Sequence, residues 1–342
     1  MNITDIISEY GAYYESGDAT RIQRLKTQLF VPEHFGKLFA IQPTKETYFK
    51  SAVASIGQVA QEFQKAYTPL SNATVIPQMI ELEKIKIDLE EEPHALEASW
   101  LGFLTRLGME NGQTMNQNIL EWPFIRWYLE MLVIPKHNEQ MEMSEYFWGK
   151  RGAVTPNVAT VEGKTINGIN AKIEADKLKS TPLMNYITGT AYPTDPKLFV
   201  QFLEGVVDQF LTDYPALARF KFEILLSSSL HKRYKRGFRE LYGKDTDQLT
   251  LSANISTIID NQLISLIGCT AMDNDPANPN TSSDKMILTY AENRIRPIIF
   301  PQNSQSFMVV PSGANPRTAW MYTDWWEAID FARHEHVTII EP

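Results

Sequence analysis

The stretch "ILEWPFIRWYLEMLVIPKHNEQMEMSEYFWG", residues 119–149, is the longest element that the sequence predicts. Phe124, Trp127, Met131, Ile134, Met141, Glu145 and Trp148 step at three, four and seven residues, which reads as one long helix with a single inward row. Pro123 suits a first helical turn, where a missing N–H costs nothing, and Gly149 closes the run. Pro135 predicts a kink, because it removes one donor and crowds the preceding turn. About 30 residues at ~1.5 Å each would make a rod of roughly 45 Å, long for a globular helix. Its Met and aromatic side chains read as core packing rather than a cofactor site.

Upstream the period changes. In "TVIPQMIELEKIKIDLEEEP" (74–93), Ile80 and Leu82 alternate with acids, and the apolar set then shifts by one to Ile85, Ile87 and Leu89. Strand side chains alternate faces, so the shift predicts a long two-faced strand with a bulge near Glu83 and Lys84. Glu90, Glu91, Glu92 and Pro93 end its ladder in solvent. "HALEASWLGFLTRLG" (94–108) returns to helical spacing, with Gly108 as its cap. "YFKSAVASIGQVAQEFQKAY" (48–67) also reads as helix, with Val53, Ile56, Val59 and Phe63 on one face. Further back, "DATRIQRLKTQLF" (18–30) forms a short helix through Ile22, Leu25 and Leu29, stopped by Pro32. One such helix cannot bury itself, so this arm must lie on the body of the chain or on a neighbour.

Downstream, "KRGAVTPNVATVEGKTINGINAKI" (150–173) is a glycine-punctuated β or turn stretch, and "DPKLFVQFLEGVVDQFL" (195–211) an amphipathic helix. "FKFEILLSSSL" (220–230) reads as a buried strand entering a helix that carries Lys232, Arg233, Lys235, Arg236 and Arg239. "IIDNQLISLIGCTAM" (258–272) is a helix or a strand pair, and residues 273–285 form an exposed loop. "KMILTYAENRIRPIIF" and "SQSFMVV" read as strands. "EAIDFARHEHVTII" alternates strictly, which predicts a terminal strand with Ile329, Phe331, Val337 and Ile339 on one face and Asp330, His334, His336 and Thr338 on the other.

The 342 residues suffice for a full core and about two domains, and the formal net charge of −9 opposes long-range attraction to nucleic acid. A single cysteine, Cys269, excludes an internal disulfide and reads as a small buried hydrophobe. The N-terminus carries acids rather than a basic region ahead of an apolar core, and no apolar run nears the ~20 residues a membrane span needs. Glycine-rich phosphate loops and the GxSxG elbow are absent. His334 and His336 could supply two metal ligands from one strand face, with Asp330 nearby, but no third ligand is identifiable. Glu81 and Glu83 lie on a strand that reads as exposed, and His94 and His137 beside prolines read as surface or cap residues. No catalytic constellation and no cofactor site is legible.

The order of elements, rather than any local motif, resembles the major capsid protein of tailed phages with the Hong Kong 97 fold, shared by encapsulin shells. Residues 119–149 with "KRGAVTP" and "INGIN" resemble that family's spine helix and the segment after it; residues 74–92 resemble one arm of its extended E-loop. "DPKLFVQFLEGVVDQFL" with "FKFEILLSSSLHKRYKRGFREL" resembles the helix, strand and helix of its axial domain, and the last strands resemble those that close that domain and return. The resemblance implies an α+β fold divided into an N-terminal arm (1–45), an E-loop region (46–93), a peripheral domain (94–152), an axial domain (153–312) and a return to the peripheral domain (313–342).

It also implies a structural, non-enzymatic subunit that self-assembles into hexamers and pentamers of an icosahedral virion capsid around double-stranded DNA, put together in the host cytoplasm. Its partners would be copies of itself, with portal, scaffolding or decoration proteins, and with DNA by non-specific proximity only. The inter-subunit candidates are the basic cluster, Glu90, Glu91 and Glu92, and the strand residues Ile85 and Ile87. The cluster is expected to meet carboxylates of a neighbour, such as residues 90–92 or Asp208 and Asp213, rather than DNA. Two other readings are an encapsulin-like shell around an enzyme cargo and a metal-dependent hydrolase using His334 and His336.

Overall fold

The computed structural model describes residues 3–15, 19–30, 34–56, 60–65, 73–188, 191–215, 221–242, 257–258, 261–278, 281–300, 308–313 and 317–342. Pro32, Gly57 and Val59 lie outside these, as do residues 304–307 and the side chains of Ile22, Val53 and Ile56. The chain opens with α1 (Ile3–Tyr10) and α2 (Ala19–Phe30), then β1 (Ala40–Pro43), the antiparallel hairpin of β2 (Tyr48–Ile56) and β3 (Ala73–Glu81), and β4 (Glu83–Glu91). Next come α3 (Pro93–Asn111), α4 (Met115–Glu121), α5 (Phe124–Trp127) and α6 (Ile134–Gln140). The second half holds α7 (Ile169–Lys177), β5 (Asn185–Thr188), α8 (Pro196–Asp213), β6 (Phe222–Ser227), α9 (Ser228–Tyr242), β7 (Thr257–Ile258) and β8 (Asn261–Cys269). It closes with β9 (Met286–Thr289), β10 (Arg294–Ile299), β11 (Met308–Pro311), β12 (Ala319–Glu327), β13 (Asp330–Phe331) and β14 (Thr338–Glu341).

The long helix differs from its expectation in two ways. Trp122, held at φ −122° and ψ 67° ahead of Pro123, ends α4, so the rod starts at Phe124 with Pro123 as its cap. The unbroken helical run then covers residues 124–145, about 33 Å at ~1.5 Å per residue. Within it Tyr128–Val133 and Met141–Glu145 are π-type turns. Ile134 N–H donates to Leu129, five residues back, which widens the helix just before Pro135. The widening also rotates the buried face: Tyr128, Leu129 and Glu130 turn inward and Met131 turns out.

The shift in the 74–92 pattern is a change of sheet rather than a bulge. β3 pairs only with β2, whereas β4 pairs with β12 over nine residues, from Glu83 opposite Glu327 to Glu91 opposite Ala319. Leu82 is the buried pivot. Residues 48–56, expected as helix, are a strand for the same reason: small and β-branched residues accept nine cross-strand partners in β3, and pairing overrides local helical spacing. α3 runs past Gly108 to a left-handed cap at Gly112.

Two six-stranded sheets form the body. The first is ordered β1-β10-β12-β11, with β4 on β12 and β13 on β10; the second is β5-β14-β9-β6-β8-β7. β6 is buried on both faces, which explains its unbroken apolar run. Ile224 and Leu226 face the Phe199, Leu203, Val207 and Phe210 row of α8, while Leu225 faces the main core with Ile287 and Ile339. Within the segment read as a helix or a strand pair, Thr257–Ile258 and Asn261–Cys269 are strands. The C-terminal segment, expected as one strand, turns at residues 334–336, so β13 joins the first sheet and β14 the second. Ile329, Phe331, Val337 and Ile339 are all buried, but so are Asp330 and Thr338.

Glycine marks the crossing after the long helix. Gly168 N–H donates to Gly149 O at 2.8 Å, and a Cβ on Gly168 would lie 2.4 Å from the Glu145 carbonyl oxygen. The fully buried Glu145 carboxylate holds the same loop, accepting from Gly163 N–H (2.8 Å), Thr165 N–H (2.9 Å) and the Thr165 hydroxyl (2.8 Å).

Candidate inter-subunit surfaces

The N-terminal arm is covered by its own chain. Ile6, Tyr10, Tyr14, Leu25, Leu29 and Phe30 are buried, and the Tyr14 hydroxyl (3.1 Å) and Arg24 (3.0 Å) both donate to Glu130 on the long helix. Glu130 also pairs with Arg126 at 3.2 Å. Burial, with the Glu130 charge adding, pushes the Tyr14 hydroxyl far above its usual range. Of the two expected appendages, this one needs no neighbour among the described contacts.

The β2–β3 hairpin is the other. Its base is tied to the body by the Ser51 hydroxyl donating to Ala332 O (2.7 Å) and the Gln78 amide donating to Phe331 O (2.8 Å). Ile80 packs there with Ile295 and Ala328. Farther out Val75 is 60% and Met79 64% exposed, and Phe63, between the strands in sequence, is 90% exposed. Two-stranded ribbons are marginal alone, and this one shows apolar side chains to solvent.

Ile85 and Ile87, expected at a neighbour contact, pack with the core cluster of their own chain. Alternate β4 residues face the core, so Ile85 is buried beside Trp325 and Ile87 half-buried in the same cluster. Of the acidic run, Glu90 is exposed and accepts from Thr318 (3.0 Å) and Ser312 (3.3 Å), which, with a Trp320 hydrogen bond, holds its carboxyl below the usual range. Glu91 is half-buried near Tyr128, and Glu92 is exposed where α3 begins. Glu83 is half-buried and not exposed as expected. It accepts from Asn167 N–H at 2.6 Å, and burial raises its carboxyl.

The basic cluster lies on α9, whose Leu230, Tyr234 and Gly237 face inward. A Cβ on Gly237 would meet the Pro196 carbonyl oxygen at 1.9 Å, so α8 and α9 touch through this glycine. Arg233 turns back, donating to Pro193 O at 3.3 Å and lying 5.5 Å from the Phe199 ring centre. Lys232, Arg236 and Arg239 are exposed and Lys235 half-buried. Asp208 and Asp213 on α8 are exposed as well.

His334 and His336 sit in a short 3₁₀ turn and are not on one strand face. His334 Nε2 lies 2.8 Å from Asp330, which also takes Lys172 at 2.9 Å, while His336 Nδ1 lies 3.1 Å from the Tyr290 hydroxyl. Among the described residues no three His, Cys, Asp or Glu side chains could hold a metal. His137 is no cap: its ring meets Trp325 edge-on at 5.2 Å, and burial with the nearby Arg296 charge lowers it to about 4. Cys269 is buried, as expected, and burial pushes its thiol up to about 12.

Sequence reading passed over β12. "AWMYTDWWE" (319–327) alternates buried and exposed residues, which leaves Trp320 and Tyr322 on the outer face. The same strand supplies Glu327 to a buried group in which Tyr146 donates to Glu327 at 3.0 Å and Arg296 donates to Tyr146 at 2.5 Å and to the Phe30 carbonyl. Period-two alternation in those nine residues was the available signal; an Arg inside a strand gave none.

No family model and no curated protein matches this chain. Solved structures do. A chain of the satellite phage P4 procapsid that includes the size determination (Sid) protein is 11% identical, with a TM-score of 0.50 over 94% of this chain and 98% of that one. The fold is that of a phage capsid protein. A Mycobacterium phage Ogopogo chain (11% identity, 89% and 90% covered, TM-score 0.48) and an empty GTA particle capsid (11%, 92% and 89%, 0.47) are also similar. The likeness to the procapsid chain extends over nearly the whole of this one.

Proposed function

We propose that the chain is a structural subunit of a phage-type capsid, which self-assembles into a closed shell. The observation that carries this reading is the likeness to a procapsid chain over 94% of the length, joined to a hairpin that exposes Val75 and Met79. Heterologous contacts with a fixed rotation close into rings, and rings of two sizes close a shell. In this reading residues 1–45 form the arm, 46–93 the E-loop, 94–152 with 313–342 the peripheral domain, and 153–312 the axial domain. The capsomers are hexamers and pentamers around double-stranded DNA, in a virion assembled in the host cytoplasm, with portal and scaffolding or decoration proteins as further partners. The basic cluster on α9 and Glu90, Glu91 and Glu92 are the polar inter-subunit contacts.

Negative-stain microscopy and sedimentation of the purified chain test the reading. Closed particles of uniform diameter are expected; a compact monomer at high concentration overturns it. Nucleic acid in particles recovered from infected cells supports the virion assignment, whereas a co-purified enzyme favours a cargo compartment.

A further inference from the structure

The outer face of the first sheet carries two matched rows. β-pairing sets Val310 beside Trp320 beside Glu90, and one step along, Met308 beside Tyr322 beside Asp88. Each row is apolar, aromatic and then acidic. Trp320 is 40% and Tyr322 41% exposed, and with Asp88 and Glu90 they line an open cavity of about 380 Å³. An aromatic face with a carboxylate beside it attracts a cation by ring quadrupole and by charge together. Rows two residues apart on a strand are separated by about 6.8 Å.

α9 presents the complement. Lys232 and Arg236 are four residues apart, hence about 6 Å along the helix, on its exposed side. Neither makes an ion pair among the described residues, whereas Arg233 is held by Pro193 and Phe199. Asp88 pairs with Lys86 on its own strand and Glu90 accepts from Thr318 and Ser312, which fixes both exposed carboxylates on the face with oxygens left to accept more. α9 packs chiefly on α8, β6 and β8, and β4 chiefly on β12, so a meeting of these two surfaces calls for a second copy.

We infer that the Trp320–Tyr322 face docks the Lys232–Arg236 side of α9 from a second copy of this chain. This rests on the shell reading and names one of its contacts. The contact joins different patches, so it is heterologous and propagates round a ring.

Three full-length variants test it: Asp88→Lys with Glu90→Lys, Lys232→Glu with Arg236→Glu, and all four together. Each pair alone is expected to lower particle yield about tenfold, and the combination to restore most of it, as coupled charges do. Melting temperatures near that of the wild type confirm folding. Unchanged yield in either pair, or no recovery in the combination, overturns the inference and leaves the shell reading standing. A second measurement is independent of shell closure: Glu90→Cys with Arg236→Cys and a short bismaleimide should give covalent ladders that neither cysteine gives alone. Absence of ladders overturns the docking, and a wild-type chain that is also monomeric overturns the shell reading with it.

Discussion

Gly237 shows how one missing side chain sets the distance between two helices. A Cβ there would overlap the Pro196 carbonyl oxygen at 1.9 Å, a contact with backbone that no rotamer change relieves. Gly237→Ala should therefore destabilise the chain by about 3 kcal/mol in urea unfolding, although alanine is the better helix former. Glu145 acts in the opposite sense, by what it accepts: Glu145→Ala leaves the Gly163 and Thr165 donors of a half-buried loop without their buried acceptor. A fully buried unpaired donor costs roughly 1–3 kcal/mol and a half-buried one less, so a loss of about 2 kcal/mol is expected, measured the same way. His137 gives a pH signature. Its folded value is lowered to about 4, so the unfolded state takes up a proton first as pH falls. Its stabilisation is fully present above about pH 6.5 and is lost progressively towards pH 4. The difference in melting temperature between wild type and His137→Phe should therefore shift in the variant's favour across that window. The comparison cancels the carboxylates whose raised values act with the opposite sign, Glu83 and Glu142 among them.

At the scale of elements, the hairpin and the long helix carry opposite lessons. Val75 and Met79 share an outward face of β3 that packs on nothing described in this chain. Val75→Lys with Met79→Lys should leave the unfolding free energy of the subunit within about 0.5 kcal/mol, yet abolish particles in sedimentation. A matching loss of stability would mean that the hairpin is covered by its own chain. In the long helix, periodicity in residues 124–145 revealed the element and most of its inward row, with Phe124, Trp127, Ile134, Met141 and Glu145 all buried. Met131 was assigned inward by counting and is outward, because the π-type turn ahead of Pro135 adds a residue to the helical turn. A helical wheel assumes 3.6 residues throughout, and here the proline breaks that assumption. β4 failed differently. Its alternation was legible, and so was the shift at Leu82, but whether a shift means a bulge or a new partner depends on β12, more than 220 residues away.

For the whole molecule, the order of arm, extension, rod and alternating second half was enough to suggest the capsid fold, and the likeness to a procapsid chain bears it out. The candidate site was less legible. The basic cluster and Glu90 could be named from charge alone, since like charges in a short run stay solvated; both are on the surface. Ile85 and Ile87 were named from apolarity, which does not distinguish a surface waiting for a neighbour from one packed on its own core, where Ile85 is buried and Ile87 half-buried. The net charge of −9 leads to one further expectation: the purified subunit should fail to shift naked double-stranded DNA at about 0.15 M salt, even with its basic helix exposed. Tight binding under those conditions would reassign α9 to nucleic acid.

By itself the sequence determined the period of most segments, where several prolines and glycines stop them, and that the basic run of α9 stays in water. These are properties of neighbours along the chain and need no partner. Only the tertiary structure decided that residues 48–56 are strand, that the arm lies on its own long helix, and that Trp320 and Tyr322 face outward beside two carboxylates. Each of those outcomes depends on pairing between residues far apart in sequence, whose energies outweigh local preference.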